Sequence, residues 1–300
     1  MITCRTLVIR LSLNTEVSKK ITTVKSTLSF LSLITGISFS SACLAQQLPL
    51  WEAGVGFGAL HLPYYRGSDT TTNFVIPFPY LVYRGDRFNV DESGMHQRLF
   101  KSENVKLELS LAGGVPVASG DSNSLRNGMP DLDPTVEIGP SLEIRLWEDK
   151  IDKRSLMLNL PLRATVSVST SKIDHQGFAF APYIEYVLKS RKPGSWKVGM
   201  AFGPLYADEE YHNYFYEVEP QYATPARPEY HSEGGYSGSR FTLTVQKNIA
   251  DVWLGAFLRY DSLREAAFEA SPLVTSDYYH AFGFAVTWVF AKSKTLVKVD

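Results

Sequence analysis

Residues 104–114, "NVKLELSLAGG", decide the fold class of this chain. Val105, Leu107, Leu109 and Leu111 alternate with Lys106, Glu108 and Ser110. A period of two belongs to an extended strand with one oily face and one wet face. The oily face covers either the core of a secreted β-sandwich or nothing but lipid, and the rest of the chain separates these readings.

The pattern recurs. In "TVEIGPSLEIRLW" (135–147), Val136, Ile138, Leu142, Ile144 and Leu146 share one face, with Glu137, Ser141, Glu143 and Arg145 on the other. "SLMLNLPLRATVSVS" (155–169) alternates in the same way, from Leu156 to Val168. Further strands are expected at 51–62, 74–84, 86–92, 177–189, 195–206, 212–219, 239–247, 251–260 and 279–290, twelve in all. Gly- and Pro-containing junctions such as "YRGDR" and "KSRKPGS" read as hairpin turns. A helical period is weakly present only in "SLREAAFEA".

Strand length favours lipid. Soluble strands usually run about 5–6 residues, whereas a tilted membrane-crossing strand needs about 9–11, and several of these alternate for longer. With no helices to cover the oily faces, closure into a barrel disposes of both the apolar surface and the sheet edges. The expected architecture is therefore all-β: a closed antiparallel transmembrane barrel of about 12 strands, within a range of about 10–14. Trp51, Tyr80, Tyr83, Trp147, Tyr183, Trp196, Tyr206, Trp253 and Tyr260 stand at strand ends, where an interfacial aromatic girdle belongs. Phe282, Phe284, Val286, Trp288 and Phe290 share one face of the last strand, before "AKSKTLVKVD" continues the chain. Pro161 and Pro182 each remove a ladder donor from inside a strand.

The N-terminus has another composition. Lys19, Lys20 and Lys25 precede the apolar, small-residue run "STLSFLSLITGISFSSACLA" (26–45), which reads as a secretory signal peptide over 1–45, cleaved between Ala45 and Gln46. Residues 46–300 then form a single domain. Both cysteines, Cys4 and Cys43, fall in the presequence, so the exported chain has no disulfide available. The presequence takes five of the 30 basic and one of the 31 acidic residues, leaving a net charge of −5 after it. No basic field points to nucleic acid.

Several stretches resemble the MipA/OmpV family of Gram-negative outer-membrane proteins. "GVGFGALHLPYYRGSD" is similar to its Gly-alternating first strand and the P-x-Y-x-G-S turn at Pro63 to Ser68, followed by a Pro-x-Pro strand at Pro77 and Pro79. "MPDLDPTVEIGPSLEI" (129–144), "YHSEGGY" (230–236) and "DSLREAAFEASPLV" (261–274) resemble later family segments. The resemblance implies a barrel in the cell outer membrane. It also implies a scaffold role for at least one member, which brings a lytic transglycosylase and a peptidoglycan synthase together; others are linked to osmotic response, adhesion or antigenicity. It carries no catalytic residue and no cofactor.

The residues themselves offer little chemistry. His61, His96, His175, His212, His231 and His280 form no H-E-x-x-H, and there is no G-x-S-x-G. His231-Ser232-Glu233 reads as a polar loop, and "DEEYH" (208–212) as a solvated acidic turn that competes with a hard-cation site. The expectation is a non-enzyme without metal or cofactor. "GDSNSLRNGMPDLDP" (120–134) is the unusual loop: counting strands from a periplasmic N-terminus puts it on the periplasmic side, where turns are short, unless the count is off by one. Asp121, Arg126, Asp131 and Asp133 are its candidate partner-binding residues. Three functions stay open: a scaffold for cell-wall enzymes, a small-solute channel whose lumen Lys106, Glu108, Glu143, Arg145 and Arg163 would line or fill with ion pairs, and an adhesin working through the loops near 63–73, 219–239 and 261–278.

Overall fold

The computed structural model describes residues 47–86, 88–91, 94–117, 119–120, 125–189 and 196–298. The expected signal segment, its junction at Ala45 and Gln46, and Asp121 lie outside the described residues.

In chain order the elements are β1 (Gln47–Pro49), β2 (Trp51–Pro63), β3 (Thr71–Arg84), β4 (Phe88–Asp91), β5 (Gly94–Lys101), β6 (Val105–Gly114), β7 (Thr135–Asp149), β8 (Arg154–Val168), β9 (Ile173–Phe180), β10 (Tyr183–Lys189), β11 (Lys197–Ala207), helix α1 (Glu209–Tyr216), a 3-10 turn (Pro220–Tyr222), β12 (Gly235–Ile249), β13 (Val252–Ser262), β14 (Tyr278–Lys292) and β15 (Leu296–Lys298). Consecutive strands pair antiparallel from β2 to β9 and from β10 to β14, and β14 returns to β2. β9 and β10 act as one stave: β8 pairs with β9 through Leu162–Val168 and with β10 through Arg154–Asn159, and β11 pairs with both. The ring is therefore a closed barrel of twelve staves. Outside it, β1 and β15 form a small two-stranded sheet that joins the two ends of the described chain.

Register fixes what each face meets. Along β14 the exposed residues are Phe282, Phe284, Val286, Trp288 and Phe290, alternating with buried or half-buried Ala281, Gly283, Ala285, Thr287 and Val289. Only a wall whose outer side faces lipid leaves a Trp and three Phe exposed on one strand. In β6, Lys106 stands opposite Glu143 and their side chains meet at 2.7 Å, while Ser110 is buried beside Arg163. Lys106 and Glu108 thus point into the barrel, and Val105, Leu107, Leu109 and Leu111 point to lipid.

The prolines interrupt the ladders without breaking the wall. Pro161 on β8 accepts from the Ala181 amide at the β9–β10 interruption. Beside it, the β7–β8 pairing is interrupted at Gly139–Pro140 without a change of register, and β11 bulges between Pro204 and Tyr206. The lost ladder bonds are thus gathered on four neighbouring staves.

One expected strand is absent and one unexpected strand is present. Residues 212–219 lie mostly in α1, because Asp208 caps the helix by accepting from the Tyr211 amide and two acids follow in its first turn. A stave not expected from sequence, β5, runs over 94–101; a bulge between Arg98 and Phe100 puts Leu99 and Phe100 both in exposed positions and destroys the alternation. The two errors cancel in the total but shift the parity. The 120–134 loop consequently lies at the end opposite the termini, not on the periplasmic side. That end also carries 64–70, 208–234 and 263–277, whereas the termini end has short turns, the arrangement of outer-membrane barrels. The girdle is corrected too: Trp51, Trp147, Trp196, Tyr206 and Tyr260 are exposed, but Tyr80 and Trp253 meet at 5.9 Å on the inner face, and Tyr183 faces inward opposite Asn159.

Candidate functional site: the loop cap and the lumen beneath it

The largest hydrophobic core of the described chain lies in its loops. Tyr65 from the β2–β3 loop, Val117, Met129 and Leu132 from β6–β7, Tyr216 and Val218 from β11–β12, and Leu263, Phe268 and Leu273 from β13–β14 pack into one buried cluster. These loops rise from well-separated points around the ring, so a shared core has to span the mouth. At its centre the Tyr216 and Phe268 rings stack at 3.8 Å, with His212 edge-on to Phe268 at 5.0 Å. Each fully buried Phe, Leu or Val contributes about 1.5–3 kcal/mol.

Polar atoms are tied off inside this cap. The Tyr65 hydroxyl donates to the Leu273 carbonyl (2.8 Å) and Tyr216 to the Arg66 carbonyl (3.0 Å). Burial pushes the Tyr65 hydroxyl up to about 12 and Tyr216 higher still. Arg126 is buried and donates to the Phe215 carbonyl (3.0 Å) and the Pro130 carbonyl (3.3 Å), and Arg227 donates to the Tyr222, Leu125 and Asn127 carbonyls. Asp131 accepts from the Ser119 amide (2.6 Å), and the Asp133 carbonyl accepts from Tyr214 (2.9 Å). Of the four residues singled out in the 120–134 loop, then, Arg126 is internal cement, Asp131 and Asp133 brace the loop, and Asp121 is outside the described residues.

His212 is the functional-looking residue that sequence spacing missed. Its Nδ1 lies 2.7 Å from the Glu233 carbonyl, and its Nε2 lies 2.6 Å from the Ser237 hydroxyl. Nδ1–H therefore donates to the carbonyl and Nε2 accepts from Ser237; burial lowers the imidazole pKa and keeps the ring neutral. A base oriented on one side and a hydroxyl on the other is the geometry of an activated serine. Ser237, however, is only 1% exposed. The arrangement works as a latch holding α1 onto the start of β12. The candidate acidic turn disperses similarly: Asp208 caps α1, Glu209 pairs with His231 (2.8 Å) and Glu210 with His175 (3.1 Å). No group of three or more metal-ligating side chains converges among the described residues. Outside the cap, a groove of about 690 Å³ is lined by carboxylates including Asp131, Glu209, Glu217 and Glu219.

Below the cap the lumen has two unlike walls. From β5 to β8 it carries ion pairs: Arg98–Glu108 (4.0 Å), Lys106–Glu143 (2.7 Å), Arg163–Glu137 (3.8 Å) and Arg145–Glu148 (3.1 Å). From β13 through β14 and β2 to β3 it is aromatic and apolar, with Phe257, Gly283, Leu60 and Phe74 in one register row. At the upper edge of that wall, Asp261 is fully buried between Arg66 (2.8 Å), Arg240 (3.1 Å) and Arg259 (2.6 Å). Three guanidiniums around one carboxylate leave this corner with a net charge of +2.

Twelve staves with lipid-facing aromatics, ion pairs on one side of the lumen and long loops at one end define an outer-membrane β-barrel. The family model for the MltA-interacting protein MipA matches residues 55–290, and the chain belongs to that family. It is 27% identical over 194 residues to the outer membrane protein OmpV of Vibrio cholerae serotype O1, a match covering 62% of this chain and 66%, just under two thirds, of that relative. Among solved structures it is similar to a bacterial polysaccharide outer-membrane secretin (10% identity, TM-score 0.39, 80% of this chain and 99% of that one). It is also similar to an outer-membrane channel of Pseudomonas putida F1 (12% identity, TM-score 0.36, 82% and 97%). Neither of these two distant likenesses bears on function.

Proposed function

We propose that the protein is an interaction barrel, a scaffold that anchors a peptidoglycan-cleaving lytic transglycosylase, and with it a peptidoglycan synthase, at the inner surface of the outer membrane. The observation that carries this reading is the cap. A packed aromatic core from four loops stands across the axial route, so what the barrel offers is surface rather than passage. The family's name, MltA-interacting protein, supplies the partner class. Since the 120–134 loop lies at the outward end, the docking surface for a periplasmic enzyme is the opposite rim, with its short turns and the β1–β15 sheet. The reading assigns no catalysis and no cofactor to the chain, and takes residues 1–45 as a leader removed after Ala45. A mature N-terminus at Gln46 in the purified protein is the expected result for that cleavage.

The test combines capture and conductance. Detergent-solubilised barrel should retain a purified lytic transglycosylase, and truncation after Ser293, which removes β15, should lose it while the barrel still shifts on gels after boiling. In planar bilayers the intact protein should conduct little. A large, stable conductance together with no enzyme capture would replace the scaffold with a channel.

A further inference from the structure

The barrel wall has an opening in its outward half. β3 is paired along its whole length with β2, but on its other side it meets β4 only at Tyr83 and Arg84. β4 and β5 are too short to reach further, and β5 joins β6 no higher than Ser110. Among the described residues, no strand covers the free edge of β3 from Thr71 to Val82, nor that of β6 from Leu111 to Gly114.

The sequence is built for this edge. The Arg84 amide donates to the Leu50 carbonyl, towards the β2 side, so even-numbered β3 amides point that way and odd-numbered ones point into the opening. Pro77 and Pro79 are odd-numbered: they stand where an N–H would have had no partner. The rim is apolar outside, with Val75 77% exposed, and apolar inside, where the inward Ile76 is 41% exposed for want of a neighbouring stave. From this edge the apolar inner wall runs inward through Phe74, Leu60 and Phe257, the last two meeting over Gly283. It ends one inward position along β13 from Arg259, about 7 Å further on, at the corner of net charge +2.

We propose that this notch is a lateral portal, and that the wall behind it binds a free long-chain carboxylate, with its head at Arg240 and Arg259 and its hydrocarbon chain lying along Phe257, Leu60 and Phe74 towards Ile76. The cap closes the axial route, so the portal connects the lumen with the outer leaflet. Three strand spacings, about 14 Å, separate β13 from β3, which selects a long chain. The unbalanced arginines select an anionic head. This inference is independent of the scaffold reading: one concerns the lumen and outer leaflet, the other the periplasmic rim.

Trp253 faces the same wall two residues from Gly255, while Trp51, Trp147, Trp196 and Trp288 are exposed on the outside or rim, so Trp253 reports on the site. The full barrel in neutral detergent is titrated with a mid-chain-brominated dodecanoate, and the Trp253 component is obtained by subtracting the Trp253→Phe variant. Saturable quenching is expected. The equivalent brominated alcohol should bind at least about tenfold more weakly, the loss expected when a charge-assisted hydrogen bond is missing. Arg240→Gln should bring the carboxylate down to the alcohol's affinity, with Arg66 and Arg259 still holding Asp261. Ile76→Phe, which fills the opening without adding a second reporting indole, should abolish saturable quenching in a barrel that retains its heat-dependent gel shift. Non-saturating quenching equal in all proteins, saturable quenching that survives both substitutions, or the same Trp253 response to a brominated phosphatidylcholine would each overturn the proposal.

Discussion

The wall and the cap of this molecule are stabilised in opposite ways. In the wall, each stave is held by its ladder and apolar side chains face outward, while the inner face is charged from β5 to β8 and apolar from β13 to β3; Trp288 and Phe284 are each 60% exposed, and lipid rather than protein covers them. In the cap, Phe268 and Tyr216 stack in a dry interior and arginines donate to loop carbonyls, as in a soluble domain. The difference teaches that a barrel wall rests mainly on its ladders and on lipid, with only a small apolar cluster inside, whereas the loops hold the larger core. Where a core appears in the loops, as here, it ties together segments from across the ring.

If the cap is a separate packing unit, its core can be broken without the wall. Phe268→Ala removes a fully buried ring and should cost about 3–5 kcal/mol. The expected outcome is rapid proteolysis within 208–234 and 263–277 and a new conductance in planar bilayers, with the gel shift on boiling intact. Failure of the whole barrel to assemble would erase the distinction. Asp261→Asn comes next, because it sits at the junction of the two regions. Three arginines would lose their shared carboxylate at a cost of about 3 kcal/mol, the low end for a broken buried pair because the Arg240 and Arg259 side chains are 32% and 25% exposed. Thermal melting should fall for cap and upper wall together. Lys106→Met, by contrast, breaks a pair that is about a quarter exposed on both sides, and should shift the melting by under about 1 kcal/mol.

The wall was legible in the sequence and the cap was not. Period-two alternation reports a strand whose two faces meet different media, and in β6, β7, β8 and β14 it identified the lipid-facing residues. It failed where backbone irregularity outweighed it. The Arg98–Phe100 bulge hid β5, and the Asp208 cap turned an apparently strand-like "HNYFYEVE" into helix. The cap could not be read because its core joins residues up to 208 positions apart, as in the Tyr65–Leu273 hydrogen bond, and no local period records such a contact. The notch was half legible: the Pro-x-Pro at 77 and 79 marks an edge, but only the missing stave beside it shows what the edge opens onto.

The smallest expected effect is also the finest probe of the cap, since two of its histidines titrate with opposite sign. His231 is exposed, and its ring nitrogens lie 3.0 Å from Glu217 and 2.8 Å from Glu209, which raise its pKa above the ordinary 6.5. Its tie across α1 is therefore complete below about pH 6.5 and is lost as pH rises through the raised value. His212 is held below 6.5 by burial, so its contribution is complete above about 6.5 and is lost as pH falls through the lowered value. Amide hydrogen exchange over 209–217, corrected for intrinsic rates, should show protection greatest near pH 6.5 and declining on both sides. His231→Gln should flatten the alkaline side and leave the acid side in place. An unchanged alkaline decline in that variant would mean that the outer surface of α1 is held by its packing alone, and that the cap, like the wall, owes little to its exposed ion pairs.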